Sequence, residues 1–118
     1  MSAAPARLNV HNDAVPPAKA VRLEEALDYV PGGIVSRTLA RSPGGTVTLF
    51  AFEAGQELSE HTASYDAFFQ VLDGAVEITV GSEKVVARKG ETVLMPARIP
   101  HAVRAVERFK GLLTMVKG

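Results

Sequence analysis

From Gly33 onward, Gly, Pro and Asp-Gly cut the chain into short pieces, and several of those pieces alternate apolar with polar residues. That punctuation leaves little room for long helices. Val76, Ile78 and Val80 alternate with Glu77 and Thr79, the period-two pattern of a strand with one buried face. Ile34 to Arg41 reads as a strand that ends at the turn Ser42-Pro43-Gly44-Gly45, and Thr46 to Phe52 reads as its return. Ala67 to Leu72 is an apolar run closed by Asp73-Gly74, a hairpin signal. Gly81-Ser82 turns the chain into Lys84 to Arg88, and Lys89-Gly90 breaks it again before Thr92 to Met95. Pro100 precedes His101 to Val106, and Phe109 to Val116 closes the chain. About nine short strands with regular breaks argue an all-β sandwich or barrel rather than an α/β fold.

The one helical pattern is Arg22 to Tyr29, where Leu23, Ala26 and Leu27 share a face and Pro31-Gly32-Gly33 forms the stop. So short a helix depends on packing. Residues 1–20 are rich in Ala and Pro and read as a loose N-terminal arm, with His11 exposed in it and one barrel domain over 21–118. The arm lacks the apolar centre of a secretory leader, and no apolar stretch approaches the ~20 residues that span a bilayer.

At 118 residues the chain is long enough for one core without staples. Thirteen Lys and Arg balance thirteen Asp and Glu, so no net charge draws it toward nucleic acid or anionic lipid. Arg98, Arg104, Arg108 and Lys110, interrupted by Glu107, read as a solvated face rather than an anion site. Cysteine is absent, which excludes disulfides, thiolate metal sites and a cysteine nucleophile, and fits a cytoplasmic location. There is no Ser-His-Asp order and no glycine-rich phosphate loop. Glu53, Glu57 and Glu60 read as exposed carboxylates rather than an acid/base set.

Two spacings remain. Gly55, His61 and Gly74 are separated by five and twelve residues, and Gly90, Pro96 and His101 by five and four. These residues resemble the paired motifs of the cupins. The first cupin motif runs roughly Gly, five residues, His, any, His, three or four residues, Glu, six residues, Gly. It maps to Gly55, His61, Ala63, Ala67 and Gly74. The second runs roughly Gly, five residues, Pro, any, Gly, two residues, His, three residues, Asn, and maps to Gly90, Pro96, Arg98, His101 and Ala105. The resemblance spans about Ile34 to Val116. It implies a cupin-type jelly-roll barrel with a short N-terminal helix, and pairing into a homodimer through sheet edges and an N-terminal strand.

In that family three histidines and a glutamate hold a divalent ion inside the barrel. Here His61 and His101 keep their positions, whereas Ala63 and Ala67 replace the second His and the Glu. If His61 faces inward, alternation carries Ala63 inward too, and groups Ala67 with Phe69 and Val71. Asp66 and Gln70 then point away unless a bulge intervenes. Two imidazoles with water hold a divalent transition metal weakly, since catalytic zinc sites, for example, use three protein ligands. The competing reading is a pair of partly buried histidines bonded to water or to each other. Tyr65, Phe69 and Met95 are the residues expected to line a ligand site, with Phe50, Phe52, Phe68 and Met115 as further apolar wall or plain core.

The ligand count favours binding of a small molecule within the barrel. The rival is a metal-dependent enzyme (a dioxygenase, isomerase or decarboxylase) using His61 and His101, with the ion as Lewis acid or oxygen activator. An interaction or sensor module is the third class. No nucleic-acid or membrane partner is expected, and no DNA-binding helix pair accompanies the strands.

Overall fold

A computed structural model describes residues 9–10 and 14–117, the first pair by backbone only. His11 and most of the arm lie outside the described residues. Among the described residues, ten strands form two antiparallel sheets. In chain order they are β1 (Asn9–Val10), β2 (Ile34–Ser42), β3 (Gly45–Phe52), β4 (Glu57–His61), β5 (Asp66–Asp73), β6 (Ala75–Val80), β7 (Glu83–Arg88), β8 (Thr92–Met95), β9 (His101–Ala105) and β10 (Phe109–Val116). One sheet has the order β1-β2-β3-β10-β5-β8, and the other β4-β9-β6-β7. This is the two-sheet jelly roll that the strand pattern and the motifs imply.

Alternation decides what fills the barrel. In β5, Ala67, Phe69 and Val71 are buried, while Asp66, Phe68 and Gln70 are exposed. In β9, His101, Val103 and Ala105 point inward, and Arg104 points out. Val76 and Ile78 of β6 are fully buried. The buried apolar residues among these, with Phe52, Ala87, Met95 and Phe109, form one core between the sheets. Phe52 stacks on Phe109 at 4.6 Å between centroids, and Phe69 meets Phe109 edge-on at 5.9 Å. Phe68 faces out by the same parity, so it belongs neither to a site wall nor to the core.

The turn that the Asp73-Gly74 signal predicts joins β5 to β6. Gly74 has φ +76°, and a Cβ there would strike the Arg108 carbonyl, so both conformation and space require glycine.

The helical pattern over Arg22–Tyr29 yields only one 3₁₀ turn, Leu23–Glu25. Arg22 at its N-cap makes no side-chain cap, and a segment this short has no cooperative helical stability to offset that. Its apolar side chains still do what their spacing suggests. Leu23, Ala26 and Leu27 pack with Leu39, Leu49 and Ala51 into a second cluster on the outer face of the six-stranded sheet.

Tyr29 secures that cover. Its hydroxyl donates to Asp73 Oδ2 at 2.6 Å, and the Arg108 guanidinium and Lys110 Nζ sit 4.5 and 4.9 Å from its ring centroid. Arg108 also donates to both oxygens of Glu53, at 2.8 and 3.1 Å, and Lys110 donates to the Glu24 carbonyl. The expected solvated basic face is therefore divided. Arg104 lies 3.6 Å from Glu77, Arg98 occupies a turn, and Lys110 is buried.

Candidate functional site

The site is built between β4 and β9 of one sheet and β3, β10, β5 and β8 of the other. His61 ends β4 and His101 begins β9, and the two are direct cross-strand partners. Their rings meet at 4.3 Å between centroids with planes at 68°. A bulge between Leu58 and His61 makes this possible. Strict alternation would send residues three apart to opposite faces, but the extra residue re-aims the strand, and both Leu58 and His61 line the cavity.

The turn after β8 braces the mouth. Ile99 N donates to the Pro96 carbonyl, and Arg98 at its third position has φ +67°. Arg98 N donates to the Ala63 carbonyl at 2.7 Å, and Ala97 N donates to Asp66 Oδ1 at 2.8 Å. Asp66 thus points away from the barrel as parity predicts, and its carboxylate is engaged as a brace.

Behind the histidines lies a cavity of ≈ 150 Å³. Phe50, Phe52, Phe69, Met95 and Met115 form much of its wall, with Ala63 and Ala67 where larger polar side chains would reduce it. Leu58, Val103 and Leu113 complete the lining. No motif marks these three. Val103 and Leu113 follow from the parity of His101 and Met115, whereas Leu58 depends on the bulge. Of the three residues expected to line a ligand site, Phe69 and Met95 line this cavity. Tyr65 does not belong to the lining. Bends at Ser64 and Tyr65 interrupt the extended chain before β5, so parity counted from Ala67 does not reach it.

His101 is buried and His61 exposed, so one imidazole sits inside and the other at the rim. Burial holds His101 below the usual imidazole range, opposed by its hydrogen bond to the Ile99 carbonyl and aided by the neighbouring His61. His61 Nδ1 lies 2.9 Å from the Ser59 carbonyl oxygen, and His101 Nδ1 lies 3.3 Å from the Ile99 oxygen.

A divalent ion would find these two imidazoles and little else. Ala63 and Ala67 carry no donor, and no group of three His, Cys, Asp or Glu side chains converges among the described residues. The donor set does not fit a resident catalytic metal with the usual three protein ligands.

Comparison with known proteins matches this architecture. Residues 48–116 match the family model described as the cupin domain. A conserved protein of unknown function from Streptococcus pyogenes is 35% identical, superposes with a TM-score of 0.86, and is covered over 96% of its length by 93% of this chain. A cupin 2 conserved barrel domain protein from Leptotrichia buccalis is 40% identical with a TM-score of 0.78, over 80% of this chain and 46% of that one. A cupin superfamily protein from Desulfitobacterium hafniense is 26% identical with a TM-score of 0.85, over 96% of this chain and all of that one (100%). No curated protein matches the sequence.

Proposed function

This chain belongs to the cupin family, and from that premise we propose that it binds one small, largely apolar molecule inside the barrel. The observation that carries the reading is the ≈ 150 Å³ cavity, walled by Phe and Met and topped by two histidines. An engineered apolar cavity of about this volume accepts a benzene ring, so the expected ligand is about one ring in size. Apolar walls with a few polar groups are what small-molecule sites usually offer. The alanines at two motif positions supply space rather than ligands, which favours binding over metal-dependent turnover.

Thermal unfolding with a panel of single-ring compounds tests this. Members of the panel raise the midpoint of the wild type, because a ligand at 100 times its Kd adds about 2.7 kcal/mol. Ala67→Leu places three more carbons in the cavity and removes that response while the protein stays folded. A wild type indifferent to every compound, or an Ala67→Leu variant that responds equally, overturns the proposal.

The second reading is a metal-dependent enzyme using His61 and His101. It is favoured by one feature: two imidazoles on adjacent strands with ring nitrogens to spare. Elemental analysis of freshly purified protein separates the readings, since a stoichiometric transition metal supports the second.

A further inference from the structure

We propose that this cavity selects a neutral single ring bearing a hydrogen-bond donor, such as a phenol or an aromatic amine, because backbone carbonyls hold the Nδ1 side of both imidazoles and leave Nε2 as the acceptor of the neutral rings. The proposal rests on the binding reading above and adds the chemical class of the ligand. Its basis is the side of each ring that the backbone occupies. His61 Nδ1 is bonded to the carbonyl of Ser59, and His101 Nδ1 to the carbonyl of Ile99. In each case the partner lies two residues earlier in the chain, so the same local device appears on both strands.

A carbonyl oxygen only accepts. Each Nδ1 therefore carries the hydrogen, and a neutral imidazole has one N–H to place. In the neutral ring Nε2, the other nitrogen, is then left with a lone pair. Among the described residues no protein hydrogen bond engages either Nε2, although both imidazoles line the cavity. His101 is buried, where the uncharged ring is the favoured form.

The rest of the lining offers nothing to an anion. It contains no Lys, Arg, Ser, Thr or Tyr side chain, only hydrocarbon, aromatic rings and thioethers. A carboxylate entering it would lose its water, gain no counter-charge, and face two lone pairs. A hydroxyl or amino group meets the complementary arrangement, with its hydrogen directed at Nε2. The ring it is attached to finds Phe69 and Phe50 as edge or face partners and the Met95 and Met115 sulfurs as adaptable neighbours.

Calorimetric titration of the EDTA-treated protein near neutral pH with phenol, toluene and benzoate tests this, since the three share one ring. In a purely hydrocarbon cavity toluene wins, because burying a hydroxyl without a partner is unfavourable. Here phenol binds more tightly than toluene, and benzoate about tenfold or more weaker than phenol, the loss expected from an unpaired buried charge. Toluene binding more tightly than phenol leaves the binding reading standing and overturns the acceptor assignment. Benzoate as the tightest ligand does the same. Failure of all three to bind overturns both. Ring ¹⁵N spectra give a check that needs no ligand. The expected result is a protonated Nδ1 and an unprotonated Nε2 on both histidines, with phenol shifting the Nε2 resonances. A protonated Nε2 on either neutral ring refutes the proposal.

Discussion

Gly111→Ala links the barrel's packing to its cavity through one added methyl. Gly111 lies in β10 opposite Phe50 of β3 and Val71 of β5, and the Phe69 ring rests against it. A Cβ there would sit 3.2 Å from Phe69 Cδ1 and well inside contact distance of Cε1 and Cζ. The ring must withdraw by about 1.5 Å to regain an ordinary separation of ~3.5–4.0 Å. Phe69 is buried and edge-on to Phe109, so the cavity is the direction with free volume. Two effects oppose each other. Alanine lowers the chain's conformational freedom and gains roughly 0.5–1 kcal/mol, whereas overpacking costs roughly 1–3 kcal/mol. Overpacking wins, for a net loss of about 1–2 kcal/mol, or about 4–8 °C in midpoint for a domain near this size. Single-ring ligands also lose affinity, because Phe69 now occupies their space. Phe69→Leu removes the two atoms that the methyl strikes most closely. In the double variant the alanine is therefore tolerated, and urea denaturation gives a favourable coupling of about 1–2 kcal/mol. Additivity of the two single effects to within ~0.5 kcal/mol would refute the reasoning.

Arg98→Gly should stabilise the protein by about 0.5–1 kcal/mol, because relief of a left-handed backbone at roughly 1–2 kcal/mol exceeds the entropy that glycine adds to the unfolded chain. A lower urea midpoint would show that the exposed arginine side chain contributes more than its strained backbone loses. Tyr29 has its phenol raised by burial first, then by its hydrogen bond to Asp73, well above the ordinary value of 10.0. Its stabilising contribution is complete below that ordinary value and fades as pH climbs from there through the folded-state value. Stability measured through that alkaline window should fall more steeply for the wild type than for Tyr29→Phe, and parallel curves would count against the Asp73 contact. Prolonged treatment with a strong chelator should leave the thermal midpoint unchanged. A fall of more than about 10 °C on removal of a stoichiometric ion would require ligands beyond His61 and His101.

Local chemistry alone determined much of the barrel. The alternation over Ala67–Val71, the break at Asp73-Gly74 and the glycine-histidine spacings depend on neighbours in the chain, and they placed the strands, one tight turn and both imidazoles. Strand β4 was not legible. All its residues are exposed, and its inward positions, Leu58 and His61, are three apart, so no period-two signal marks it. Tyr65 lies outside the cavity lining, and the bends that divert it leave no trace in residue type. The pattern over Arg22–Tyr29 marks the right apolar face, but only Leu23–Glu25 is helical, as a single 3₁₀ turn held by packing on Leu39 and Leu49. The space beneath the histidines and the ring pressed on Gly111 belong to the tertiary structure alone. Each depends on strands far apart in the chain meeting in one register, and neither a bulge nor a ring orientation is encoded by the residues beside it.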